Sequence, residues 1–213
     1  MSENKKLLVD PLSTNNPITV QVLGVCSALA VTSTVANSLV MGLAVIFVTA
    51  LSNLTISLIR NLIPGRIRMI VQLVVIAFLV TLVSISLKAF AYDLSKELSV
   101  FVGLIITNCI VMGRLEAFAM ANKPVPALLD GIGNGLGYAV ILLIVGFIRE
   151  VFGAGTLSLP FVSQKWEFAK QLGLYDMGYQ NNGLMVLPIA SIFLIGLLVW
   201  IHRARNTELV DIS

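Results

Sequence analysis

Apolar positions dominate this chain in stretches of about 20 residues, and short polar segments separate one stretch from the next. An α-helix needs roughly 20 apolar residues to cross the hydrocarbon core of a bilayer, which is about 30 Å thick. Six stretches meet that requirement. They run from Asn16 to Ala36, Leu39 to Arg60, Ile67 to Phe90, Leu98 to Ala119, Asp130 to Phe152 and Asn182 to Arg203. The pattern predicts an all-α membrane protein with six transmembrane helices.

Polar residues stand where four of these helices are predicted to begin. Asn16 precedes Pro17, and an asparagine cap followed by proline at the first helical position is typical of a helix start. The second helix should begin after Asn37, while Asp130 and Asn182 should cap the fifth and sixth.

Composition agrees with a membrane protein and excludes most other classes. Apolar residues make up 57% of the chain and charged residues 12%, with a mean hydropathy of +0.95. A soluble domain carries about 25% charged residues, so too few charges are present here to cover a water-exposed surface. The net charge of +3 comes from cations in the polar gaps, which is not the pattern of a nucleic-acid-binding face.

The distribution of those cations predicts the orientation. With six spans, both termini lie on one side of the membrane. That side would carry nine cations, namely Lys5, Lys6, Arg60, Arg66, Arg68, Arg114, Lys123, Arg203 and Arg205. The opposite side would carry five, namely Lys88, Lys96, Arg149, Lys165 and Lys170. Because cytoplasmic loops are enriched in Lys and Arg, both termini are predicted to be cytoplasmic.

The two halves of the chain resemble each other. Each opens with a cysteine-bearing helix and has a second helix that closes with Ile-Arg, so that Cys26 precedes Arg60 by 34 residues and Cys109 precedes Arg149 by 40. A repeat of three spans crosses the bilayer an odd number of times, so its second copy must be inverted. The predicted organisation is a cytoplasmic segment (1–15), a first three-helix repeat (16–92), an inverted second repeat (93–204) and a cytoplasmic tail (205–213).

Cys26 and Cys109 are the main candidates for chemistry. Cys26 lies about ten residues after Asn16, or about 15 Å along a helix, which is half the hydrocarbon thickness. Cys109 should reach a similar depth from the other face. A buried cysteine often acts only as a small apolar residue. The alternative is metal ligation, since thiolates are the usual ligands of iron–sulfur clusters. Such a cluster takes four ligands, so a partner chain would supply two.

Other polar or glycine-rich features are assigned structural roles. The run Gly131-Ile-Gly-Asn-Gly-Leu-Gly137 lacks the spacing of a dinucleotide-binding loop, and its four-residue glycine spacings favour close helix packing. Arg114, Glu116, Arg149 and Glu150 lie near predicted helix ends, where charges pair or extend to the interface. The sequence contains no pattern typical of a Ser–His–Asp triad or a P-loop.

Three segments resemble one known family. They are Leu23 to Thr32 (LGVCSALAVT), Leu98 to Arg114 (LSVFVGLIITNCIVMGR) and Asp130 to Tyr138 (DGIGNGLGY). They resemble the D/E membrane-subunit family found in the sodium-translocating NADH:quinone reductase (Nqr) and in the Rnf complex, and the resemblance runs from about Asn15 to Trp200. Ser27 and Ala28 after the first cysteine are more similar to the D branch of Nqr than to the Rnf equivalent.

The resemblance implies a fold, a function and a partner. It implies six helices in inverted repeats, packed against a paralogous E-type chain in the bacterial inner membrane. It also implies that Cys26 and Cys109, with two cysteines of that E-type chain, hold a [2Fe–2S] cluster or iron at mid-membrane. That centre would relay electrons while NADH oxidation and quinone reduction drive sodium export. Flavins and NADH would be bound by other subunits, and this chain alone would not be active.

Two functions of other classes remain open on the residues alone. One is a secondary transporter with substrate bound between the repeats, which ionisable residues at mid-span would favour. The other is a scaffold that only holds partner subunits, which a cysteine-to-serine variant would favour if it lost the complex and not merely electron transfer.

Overall fold

Two long antiparallel helices form the centre of the molecule, whose computed structural model describes residues 7–12, 15–90, 103–153 and 183–205. The helices are α1 (Val25–Val31), α2 (Val35–Ile59), α3 (Arg68–Phe90), α4 (Cys109–Arg114), α5 (Pro124–Gly153), α6 (Gly183–Val186) and α7 (Pro188–Arg205). A wider π-helical turn, Leu115–Ala119, continues α4. These described residues form helices and turns without a strand, which agrees with the predicted all-α class.

Glycines bring α2 and α5 into close contact. A Cβ on Gly131 would lie 2.9 Å from the Ala50 Cα, and one on Gly135 would lie 2.8 Å from the Ile46 Cα. At the other end of the crossing, a Cβ on Gly42 would meet the Ala139 Cβ at 2.9 Å. Residues nearer the N-terminus of α2 contact residues nearer the C-terminus of α5, so the two helices are antiparallel. The predicted packing role of Gly131 and Gly135 is confirmed.

The other two glycines of the same run contact the N-terminal segment. A Cβ on Gly133 would meet the Leu7 carbonyl oxygen at 2.5 Å, and one on Gly137 would meet that of Pro11 at 2.5 Å. The segment that precedes the first predicted span therefore crosses the middle of α5.

Within the described part of the chain, four helices are long and apolar enough to cross a membrane by length and composition, namely α2, α3, α5 and α7. In the most apolar stretches of α2 and α5, 56% and 61% of the residues are buried, against 17% in those of α3 and α7. The central pair forms the core of the described fold, whereas α3 and α7 leave most of their apolar side chains exposed.

The two cysteine-bearing spans differ from the prediction. Residues 16–24 form turns, and only Val25–Val31 are helical before α2 begins, so a continuous first helix from Asn16 is wrong. In the fourth predicted span, residues 98–102 lie outside the described part. The helical turn over 103–106 is interrupted at Thr107 and Asn108 before α4 begins. Both stretches are apolar enough for a span, and hydropathy alone does not detect such breaks.

The predicted helix ends agree less well with the structure than the predicted helices do. Thr34, whose hydroxyl accepts from the Asn37 N–H at 3.3 Å, caps α2 in place of Asn37. Asp130 lies inside α5 and not at its start, so the predicted cap there is wrong. The predicted cap at Asn182 lies outside the described residues.

Replacement of Gly135 by alanine tests the helix crossing. The added methyl group would meet the backbone of Ile46, and overpacking of this kind costs about 1–3 kcal/mol. We expect a lower thermal midpoint for the purified protein. The matched control is Gly196→Ala on α7, where a Cβ meets no described atom within 4 Å and helix propensity improves. Equal stability of the two variants would contradict the crossing.

Candidate functional site

Cys26 is the second residue of α1 and follows a tightly turned segment. Gly24 caps this helix with φ +75°, a left-handed conformation that glycine adopts without a Cβ penalty. The preceding turn is organised by Asn16, whose side-chain oxygen accepts from the N–H groups of Ile18 at 3.0 Å and Thr19 at 3.2 Å. The Asn16 amide nitrogen donates to the Gly137 carbonyl at 3.3 Å. Asn16 therefore anchors the turn to the middle of α5 and does not start a long helix.

Cys109 occupies a comparable place in the second half of the chain. It is the first residue of α4, and the side-chain oxygen of Asn108 caps that helix by accepting from the Ile110 N–H at 3.2 Å. Each cysteine thus lies in the first turn of a helix that follows a break. The positive end of a helix dipole favours negatively charged groups, such as metal-bound thiolates.

The two breaks meet at one buried tyrosine. The Tyr138 hydroxyl lies 2.7 Å from the Ser27 Oγ, next to Cys26 in sequence. The Tyr138 ring also lies beside Gly24, which in turn meets the side chain of Ile110, next to Cys109. Because Tyr138 is at the midpoint of α5, both cysteine-bearing breaks lie beside the centre of that helix.

Gly24 permits the close approach of the two breaks. A Cβ at this position would lie 2.6 Å from the Ile110 Cδ1 and 3.2 Å from the Tyr138 Cε2. A larger residue would force the Ile110 side chain to move and would also carry the strain of the left-handed backbone at this position.

Both thiols are free and exposed on the surface of the described chain. They are therefore not part of its hydrophobic core, which weakens the interpretation of the cysteines as internal packing residues. Among the described residues, no three His, Cys, Asp or Glu side chains lie together as a metal site would require. Two thiols fit half of the ligand set of an iron–sulfur cluster, and the other half must come from elsewhere.

Charged residues near the site form pairs, as predicted for helix ends. The Arg114 Nε donates to the Asp130 Oδ2 at 2.9 Å, and a second guanidinium nitrogen contacts the other carboxylate oxygen. Arg68 pairs with Glu116 at 2.6 Å on the outer side of the same segment. Asp130 is thus an ion-pair partner that joins α5 to α4.

Arg149 and Glu150 hold the break between α1 and α2. Arg149 is 2% exposed, and its guanidinium donates to the Thr32 hydroxyl at 2.6 Å and to the Leu29 carbonyl at 3.4 Å, at the C-terminal end of α1. The Glu150 carboxylate accepts from the Val35 N–H at 2.6 Å, at the N-terminal end of α2. A cation thus meets the negative end of one helix and an anion the positive end of the next.

Arg60 holds the corresponding end of the other cysteine segment. Its guanidinium donates to the Asn122 carbonyl at 2.8 Å, and the Ser57 hydroxyl donates to the same oxygen at 2.6 Å. Asn122 lies just past the π-helical turn that continues α4. The arginine of each half therefore caps the cysteine segment of the other half.

The sequence reveals part of the surroundings of the two cysteines. Their neighbours Gly24, Ser27 and Asn108 are small or polar, and such residues at mid-membrane permit close backbone approach or helix breaks. Tyr138 gives no separate signal, because it lies in another apolar segment and its contact with Ser27 spans 111 positions.

Comparisons with known proteins agree with the resemblance. A family model described as "Rnf-Nqr subunit, membrane protein" matches residues 4–199. The D subunit of the Na(+)-translocating NADH-quinone reductase of Aeromonas hydrophila is 56% identical over 212 residues, which is 99% of this chain and 97% of the relative. The protein of the same name from Shewanella oneidensis is 56% identical over 210 residues, or 98% and 96%. The similarity includes both cysteine segments.

Proposed function

Because the chain belongs to the Rnf-Nqr family of membrane-protein subunits, we propose that it is the D-type subunit of a sodium-translocating NADH:quinone reductase. In that complex NADH gives two electrons to a quinone, and their passage is coupled to the export of Na⁺. The chain works only within the assembly, and the flavins and the NADH site belong to other subunits.

Within this complex, Cys26 and Cys109 hold an intramembrane iron–sulfur centre. The observation that carries this assignment is the placement of two free, exposed thiols at two helix starts that approach each other at Gly24 and Tyr138. When bound, the centre supplies one-electron redox chemistry in the apolar interior of the membrane. This chain contributes two thiolate ligands and the helix ends that favour their negative charge.

The remaining ligands come from a partner, which we take to be the paralogous E-type chain. The exposure of both thiols supports this assignment, because a shared centre needs ligands on the surface that the partner covers. The absence of a third metal-binding side chain among the described residues beside them supports it as well.

The fold is two inverted three-helix repeats, residues 16–92 and 93–204, in the inner membrane with both termini in the cytoplasm. The contacts between α2 and α5 support an inverted relation. Gly42 meets Ala139, and Gly131, 89 positions after Gly42, meets Ala50, 89 positions before Ala139. Exchange of the two halves therefore turns one contact into the other. Arg60 and Arg149 show the same relation, because the arginine of each half donates a hydrogen bond to the cysteine segment of the other half.

The experiment that tests the function uses an affinity tag on this chain in its native host. We expect the tag to recover a complex that reduces quinone with NADH, is stimulated by Na⁺, and takes up ²²Na⁺ when reconstituted in vesicles. The matched control is the same preparation from cells that express the chain without the tag. Recovery of the chain in a complex without Na⁺-stimulated NADH:quinone activity would contradict the assignment.

A further inference from the structure

The side chain of Tyr138 connects the two cysteine-bearing breaks. It is completely buried, at 0% exposure, although its hydroxyl is polar and lies at the middle of an apolar helix. A buried hydroxyl without partners costs free energy, so its position must be justified by the groups that it binds.

The hydrogen bonds around this hydroxyl have a defined direction. The Ser27 hydroxyl donates to the Gly24 carbonyl at 2.9 Å, so its single proton is already used. The bond of 2.7 Å between Ser27 and Tyr138 must then have the phenol as donor and the Ser27 Oγ as acceptor. This leaves the lone pairs of the Tyr138 oxygen available to a donor on the other side.

Asn108 offers a donor at the same junction. Its oxygen caps α4, whereas its amide nitrogen is buried and has no hydrogen-bond partner among the described residues. The start of α4 reaches Gly24 and Tyr138 through the side chain of Ile110. A hydrogen bond from this N–H to the Tyr138 oxygen would complete a chain of polar groups from the cap of the Cys109 helix to the cap of the Cys26 helix.

We propose that Tyr138 is a positioning residue that fixes the two cysteine-bearing helix starts relative to each other and provides the polar environment of the metal centre. This inference rests on the proposed function, because it assumes that Cys26 and Cys109 share a centre. Tyr138 acts through Ser27 and Asn108, each of which is adjacent to one of the proposed ligands.

Replacement by phenylalanine keeps the ring and removes only the hydroxyl. The helix starts then lose their common partner, so the ligands take up a range of arrangements and the low-temperature EPR lines of the centre become broader. The surroundings also become less polar, which disfavours the reduced form with its added negative charge. We expect the equilibrium constant for reduction of the centre to fall tenfold, which lowers its midpoint potential by about 59 mV for a one-electron step.

The experiment compares EPR spectra, redox titrations and iron content of the whole complex with Tyr138→Phe, Ser27→Ala or Thr81→Val. The Tyr138 variant should keep its iron and show broader lines with a lower potential. Ser27→Ala removes the acceptor of the phenol and should move both readouts in the same direction by less. Thr81→Val is the matched control, because it removes an exposed hydroxyl whose hydrogen bond among the described residues is to the Ala77 carbonyl of the same helix, at 2.8 Å.

The outcomes separate this inference from the function on which it rests. An unchanged spectrum and potential in an iron-replete Tyr138→Phe complex would overturn the positioning role, while loss of the signal in cysteine variants would leave the shared centre intact. If Tyr138→Phe does not assemble, Ser27→Ala decides, and wild-type behaviour of that variant overturns the inference. Retention of the full signal without either cysteine would overturn both.

Discussion

Replacement of either Cys26 or Cys109 by serine is expected to slow quinone reduction by at least about 100-fold in the assembled complex, since even loss of an outer-shell partner of a metal ligand costs 10–100-fold. A serine hydroxyl has nearly the size of the thiol, so packing changes little, but it is a poor ligand for an iron–sulfur centre. The loss should therefore appear in electron transfer and not in assembly.

The measurement is NADH oxidation with two acceptors. With quinone as acceptor, turnover should fall. With an artificial acceptor that takes electrons before the membrane relay, turnover should stay at the wild-type value. Ser86→Ala is a suitable control because its exposed hydroxyl bonds only to the Leu82 carbonyl of the same helix, at 2.9 Å. Wild-type quinone reduction in both cysteine variants would show that the cysteines are packing residues and would contradict the redox role, whereas loss of the complex itself would favour the scaffold function.

Replacement of Arg149 by methionine is expected to prevent normal accumulation of the complex. The guanidinium is almost fully buried, and it donates to Leu29, Thr32 and the Met185 carbonyl, the last at 3.2 Å. Methionine fills much of the volume but leaves these acceptors without a donor. Hydrogen bonds to charged groups contribute about 1.5–3 kcal/mol each, so the free energy of unfolding should fall by several kcal/mol. The C-terminal end of α1, and with it Cys26, would lose its attachment to α5.

The readouts are the yield of complex recovered through a tag on another subunit and the thermal midpoint of what is recovered. Arg149→Lys keeps the charge without the planar guanidinium and should give an intermediate result. Arg205→Met at the exposed end of α7 is the control and should change stability by less than about 0.5 kcal/mol. If Arg149→Met matched that control, the break between α1 and α2 would not depend on this cap.

The sequence predicted the long helices because their signal is local. α3 and α5 are continuous apolar stretches, and α3 begins within one residue of the prediction. Hydropathy did not reveal the breaks at Gly24 and Asn108. Both stretches are apolar throughout, and the energy that compensates a broken helix comes from distant groups such as Arg149 and Tyr138.

Only part of the candidate site was predicted, because a rare residue type is visible in the sequence and contacts between distant residues are not. Cysteine is a rare residue here, with two in the chain, so Cys26 and Cys109 could be selected directly. The helix rise used to estimate the depth of Cys26 does not apply, because no continuous helix joins Asn16 to Cys26. Asn16 and Ser27, which is next to Cys26, both contact the middle of α5. Asp130 was misassigned as a cap because its ion-pair partner, Arg114, lies on another helix.

The central claim is that the two thiols are ligands of one metal centre. Iron content and low-temperature EPR of the anaerobically purified complex, compared between wild type and the Cys26→Ser/Cys109→Ser double variant, test it most directly. We expect the double variant to assemble, to lack one cluster signal and, for a [2Fe–2S] centre, to contain about two fewer iron atoms per complex. Full iron content with an unchanged spectrum in that variant would contradict the claim.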